Sequence, residues 1–182
     1  MSYSSFVYRR QSRRMNDCDY SYAGIYFITI CTKNRAALFG TIINKAMNLS
    51  AGGKIAMQCF QDISKHYPDV KVDNYVIMPN HVHAIVTIAT PVTAGAQNLV
   101  PEPAWIRKNK FQHIIPRSLG AIIRGYKIGV TKWFRKNTEV HCVWQRNYHE
   151  QKIRTKKDYD LIFQYITNNP KRWEGDCFYE GE

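Results

Sequence analysis

Apolar and polar positions alternate between two periods along the chain. Ile25–Thr32 (IYFITICT) is β-branched and aromatic and predicts a strand. Thr41–Leu49 predicts a second, weaker strand. Ser50 follows as an N-cap, and Ile55, Phe60 and Ile63 recur at roughly helical spacing until Pro68. Val70–Met78 and His81–Ile88 predict two strands, the second with strict alternation. The Pro79-Asn80 turn between them makes a hairpin. Residues 89–116 carry four prolines and little periodicity, and read as an inserted loop of variable conformation. Ser118–Lys136 predicts a long helix with Leu119, Ile122, Ile123, Tyr126, Val130, Trp133 and Phe134 on one broad face. A strand (VWQRNYHEQKI) is expected within Val140–Ile153. Thr155 then caps a last helix running to Asn169, where Pro170 ends it.

The order is strand, helix, strand, strand, helix, strand, plus one helix. It predicts an α+β fold: a split βαββαβ antiparallel sheet, ferredoxin-like or RRM-like, with helices on one face and an added C-terminal helix. Residues 1–20 read as a basic N-terminal arm and 21–179 as one domain with its insertion at about 89–116. Many nucleic-acid-binding modules share this order, so the fold alone does not decide function.

Charge narrows the choice. The 182 residues hold 26 Lys and Arg against 14 Asp and Glu, a formal net charge of +12. A fold does not need that excess, whereas a polyanionic partner does. Arg9, Arg10, Arg13 and Arg14 cluster in the arm, and Arg124, Lys127, Lys132, Arg135 and Lys136 project from the long helix. No acidic residue lies between Glu102 and Glu139, so this face is of one sign and suits phosphate. The five cysteines form no CxxC pair, which leaves a zinc cage and a redox dithiol unsupported and suits a reduced compartment. No apolar run approaches the length of a membrane span, and no signal-type segment opens the chain. The expectation is a soluble, cytoplasmic and nucleoid-associated protein with no membrane partner, either monomer or homodimer.

Two constellations carry chemistry. In His81-Val82-His83 the imidazoles share one face of a strand, as a metal-binding pair requires; the plainer alternative is two half-buried polar residues. Tyr165 and Asn169 lie four apart on the last helix and share a face. An Asn amide oxygen ligates hard cations such as Mg²⁺, and a phenolate is a nucleophile. With 12 tyrosines in the chain, core packing is the plainer alternative for Tyr165.

Four stretches, AGIYFITICTKNRAALFG (23–40), YVIMPNHVHAIV (75–86), VWQRNYHEQKIR (143–154) and YITNNPKRW (165–173), resemble the REP-associated tyrosine transposases among the single-tyrosine HUH transposases. The resemblance spans about residues 20–179. It implies that His81 and His83 bind the metal, Mg²⁺ or Mn²⁺, and that Asn169 completes the site. It also implies that Tyr165 on the last helix attacks single-stranded DNA beside a hairpin, leaving a 5′-phosphotyrosine and a free 3′-OH that later reseals the strand. Arg9, Arg10, Arg13, Arg14, Arg124, Lys127, Lys132, Trp144 and Arg146 are the expected DNA contacts, with core packing the alternative for Trp144. Tyr148 is a rival nucleophile of lower rank, without a helical Asn partner. Two other readings remain: a catalytically silent hairpin-DNA-binding regulator, and a hydrolase that uses water and leaves Tyr165 dispensable.

Overall fold

The computed structural model describes residues 23–89 and 117–179. The arm with its four arginines and nearly all of the insertion lie outside them. Four strands form one sheet: β1 (Gly24–Cys31), β4 (Val70–Ile77), β5 (His81–Ile88) and β6 (His149–Ile153), in the order β4-β5-β1-β6. Every neighbouring pair is antiparallel. The α+β reading and its split βαββαβ order hold.

Two faces of this sheet are covered differently. Tyr26, Ile28 and Ile30 of β1 and Val82, Ala84 and Val86 of β5 point to the larger core. There they meet α1 (Ala51–Gln61) and α3 (Leu119–Asn137), whose Ala56, Phe60, Leu119, Ile122, Ile123, Tyr126, Val130 and Phe134 are buried. Alternation sends Phe27, Ile85 and Ile153 to the opposite face. They make a smaller cluster with Ile166 of α4 (Lys156–Asn168), flanked by Tyr159 and Ile162. Covered on both sides, β5 is buried along most of its length.

Each long helix starts at a hydroxyl cap. Ser50 accepts from Gly53 N–H at 3.0 Å, Ser118 from Ala121 N–H at 3.2 Å and Thr155 from Asp158 N–H at 3.1 Å. A short helix, α2 (Ile63–His66), follows α1 and ends before Pro68. Asn74 tethers β4 to α4, its amide donating to Phe163 O and Thr167 Oγ1, both at 3.1 Å. No helix among the described residues is long and apolar enough to cross a membrane.

Three expectations change. Residues 41–49 are not one strand but a hairpin, β2 (Gly40–Ile43) and β3 (Ala46–Leu49). Asn44 and Lys45 turn it with φ of 50° and 62°, and a lysine there carries no turn signal in the sequence. The strand expected from Val143 begins only at His149. Asn147, at φ 72°, breaks the extended run, and upstream only Trp144 bridges Thr32. Finally, the last α-helix ends at Asn168 with Asn169 as its cap, as expected, but the chain does not leave helical form there. Asn169 keeps helical angles and Pro170 opens a 3₁₀ segment, Asn169–Gly175, where its missing N–H costs nothing.

Candidate metal centre

His81 and His83 stand on the α4 face of β5, opposite Cys31 and Thr29 of β1. Both are buried, at 0% and 1% exposure. Each imidazole uses its Nδ1 sideways: His81 Nδ1 lies 2.9 Å from Asn80 Oδ1, and His83 Nδ1 lies 2.9 Å from Thr29 Oγ1. That leaves the two Nε2 atoms for the site. His81 Nε2 is buried with no partner among the described residues. His83 Nε2 meets the Tyr165 hydroxyl at 3.2 Å.

The 3₁₀ segment after α4 delivers a third group, Asp176. Ligand atoms of His81, His83 and Asp176 lie within 4.8 Å of one another, a group able to hold a metal ion. Asn169, 2% exposed, donates its amide N–H to Asp176 Oδ2 at 2.9 Å, while its own Oδ1 is buried and unpartnered among the described residues. One bare imidazole nitrogen, a second that meets only the Tyr165 hydroxyl, a carboxylate and an orphaned amide oxygen are a donor set that fits a divalent cation of the Mg²⁺ or Mn²⁺ kind. Phe27 stacks on His83 at 5.3 Å between centroids, and Phe178 lies 4.5 Å from His81. These rings wall the site with apolar surface.

Electrostatics follow from that wall. Burial, helped by the Arg35 charge, lowers His81 to about 3; burial, then the neighbouring His81, lowers His83 to about 3. Both rings are therefore neutral and able to ligate at pH 7. Tyr165 is pushed up to about 12, first by burial and then by the charges of Asp176 and Cys177, while a hydrogen bond from Asn169 pulls the other way. Without help the phenol keeps its proton at neutral pH.

The structure thus brings together His81, His83, Tyr165 and Asn169, and adds Asp176. No periodicity marked Asp176, because a 3₁₀ segment rather than the expected stop carries it there. The remaining candidates lie elsewhere. Arg124 and Lys132 are exposed on α3, across the sheet from the imidazoles. Lys127 donates its ammonium to Gln145 O and Asn147 O, and burial lowers it to about 8. Trp144 packs between Phe39 and Tyr126 and donates its indole N–H to Lys127 O, the contacts of a core residue. Arg146 is exposed. Tyr148 packs against the larger core, on the face away from the histidines.

This α+β fold, an antiparallel four-stranded sheet with helices and a C-terminal helix, is similar to that of a REP-associated tyrosine transposase. A REP-associated tyrosine transposase solved bound to a REP hairpin superposes with a TM-score of 0.54 and 18% identity, over 82% of this chain and 68% of that one. An uncharacterized protein of Haemophilus influenzae is 44% identical over 178 residues, 97% of each chain, and the chain belongs to one family with it. No protein-family model matches the chain.

Proposed function

We propose that the chain is a metal-dependent tyrosine transposase that cuts and rejoins single-stranded DNA beside a hairpin. The observation that carries this reading is the 3.2 Å contact between the Tyr165 hydroxyl and His83 Nε2, which joins a phenol to the paired-histidine strand across 82 residues of chain. His81, His83 and Asp176 would hold the ion, and the unpartnered Asn169 amide oxygen is a further candidate ligand. A bound Mg²⁺ or Mn²⁺ supplies polarisation of the scissile phosphodiester and stabilises charge building on its oxygens.

The chain's own groups do the rest. Tyr165 Oη forms a bond to phosphorus while the bond from phosphorus to O3′ breaks. The phenol loses its proton and the departing 3′ oxygen gains one. The product is a 5′-phosphotyrosine and a free 3′-OH, and attack by a 3′-OH on that linkage returns the phenol and reseals a strand. No external energy source enters, because a phosphodiester is exchanged for another ester at each step. The hydrogen bond from Asn169 favours the phenolate form.

A labelled single-stranded hairpin library with Mn²⁺ tests this directly. The expected result is a protein band carrying DNA label after boiling in detergent. Tight hairpin binding with no such band would make the chain a silent binder instead.

Two further outcomes are expected. Replacing Asp176 by Ala should weaken Mn²⁺ binding beyond about 100-fold, since loss of an outer partner alone costs about 10–100-fold. Calorimetric titration reads this, and unchanged affinity removes Asp176 from the centre. Hairpin affinity should fall steeply with salt, and Arg124→Ala and Lys132→Ala should each lower the log–log slope by about 1 if those side chains meet phosphate. Slopes equal to wild type would leave α3 out of the DNA interface.

A further inference from the structure

Asn80 closes the β4–β5 turn and is 3% exposed. Its backbone is fixed first: Thr32 N–H and Thr32 Oγ1 both donate to Asn80 O at 2.9 Å. Beside it, Phe39 N–H donates to Pro79 O at 3.0 Å. The side chain is fixed next. Asn80 Nδ2 donates to the Phe178 carbonyl at 2.8 Å, and a carbonyl only accepts, so the amide has one orientation. Its Oδ1 therefore faces His81 Nδ1 at 2.9 Å. An amide oxygen also only accepts, so His81 carries its proton on Nδ1. The remaining nitrogen, Nε2, is then a bare lone pair, and it is this atom that is buried without a partner beside His83 and Asp176.

We infer that Asn80 is a positioning residue that sets the tautomer of His81 and so prepares its Nε2 to take a metal ion. The inference rests on the metal centre proposed above. An unbonded neutral imidazole is free to place its proton on either nitrogen, and the Nε2–H form has no lone pair to offer the site. Holding the Nδ1–H form in advance removes that rearrangement from the binding step. The same amide ties the C-terminal segment to the strand turn, so the orientation of His81 depends on Phe178 being in place. His83 is held differently, its Nδ1 2.9 Å from the Thr29 hydroxyl, with the Ile28 backbone as a further hydrogen-bond partner of the ring.

The test is ¹⁵N-histidine NMR on the metal-free full chain, which distinguishes the two ring nitrogens, followed by Mn²⁺ titration of the same samples. His81 should be the Nδ1–H tautomer in wild type, and Asn80→Ala should move it toward Nε2–H. Asn80→Asp gives up the hydrogen bond to Phe178 O but keeps an acceptor beside Nδ1, and should hold the Nδ1–H form. Mn²⁺ affinity should fall about 10–100-fold in Asn80→Ala and recover in Asn80→Asp. An Nε2–H His81 in wild type overturns the inference whatever the metal does, and needs no variant to fold. Equal Mn²⁺ affinity in wild type and Asn80→Ala overturns it as well. Absence of Mn²⁺ binding by wild type is a different failure, that of the metal centre itself.

Discussion

Tyr165→Phe is expected to abolish the covalent protein–DNA band, with strand transfer falling on the order of 10⁴- to 10⁶-fold, the scale seen when a nucleophile is removed. The substitution deletes one oxygen. The ring stays against Phe27, 6.1 Å between centroids, so the packing of α4 is kept. Mn²⁺ affinity should be retained or rise slightly. His83 Nε2 has one lone pair, now engaged by the phenol hydroxyl, and that lone pair serves either a proton donor or an ion. Removing the hydroxyl removes the competitor. Loss of the band together with loss of metal binding would mean that the hydroxyl builds the site rather than attacking. Survival of the band in Tyr165→Phe, with loss in Tyr148→Phe, would transfer the nucleophile to the other face of the sheet.

Acid should unfold the metal-free protein early. His81 and His83 are held near 3 in the fold and return to about 6.5 in the unfolded chain. Below pH 6.5 the unfolded state therefore takes up protons that the folded state refuses, and stability falls as pH drops toward 3. Between pH 7 and pH 5 each ring contributes a loss of about 2 kcal/mol, so the pair contributes about 4 kcal/mol, a large part of the stability of an ordinary domain. Urea midpoints in the presence of a chelator read the effect. A midpoint that does not move between pH 7 and pH 5 would show that water reaches the imidazoles.

Much of this arrangement is legible in the sequence, and the reason is periodicity. Alternation from His81 to Ile88 predicts a strand and places both imidazoles on one face. The four-residue step from Tyr165 to Asn169 predicts a shared helical face, and in the fold both side chains reach His83 or Asp176. What escaped has no period. Asp176 enters from a 3₁₀ segment that continues past a proline. The β2–β3 hairpin turns on an Asn44-Lys45 pair in left-handed conformation, for which lysine gives no cue. Trp144 and Lys127 look like a base-stacking ring and a phosphate-binding cation in a list of residues. In three dimensions each is committed to the other and to nearby carbonyls. Long-range hydrogen bonds of that kind leave no trace in local pattern.

The two unequal cores of the sheet draw on different stretches of the chain. The larger core draws on α1, α3 and the inner faces of β1 and β5, all made before α4. Synthesis runs from the N-terminus, although a single domain generally folds as a unit. The histidine strand is therefore translated before the helix that carries Tyr165. Under the proposed function, the paired histidines are made before the group that would cut a strand, and the packing of Ile166 against Phe27 and Ile85 is what holds Tyr165 over His83.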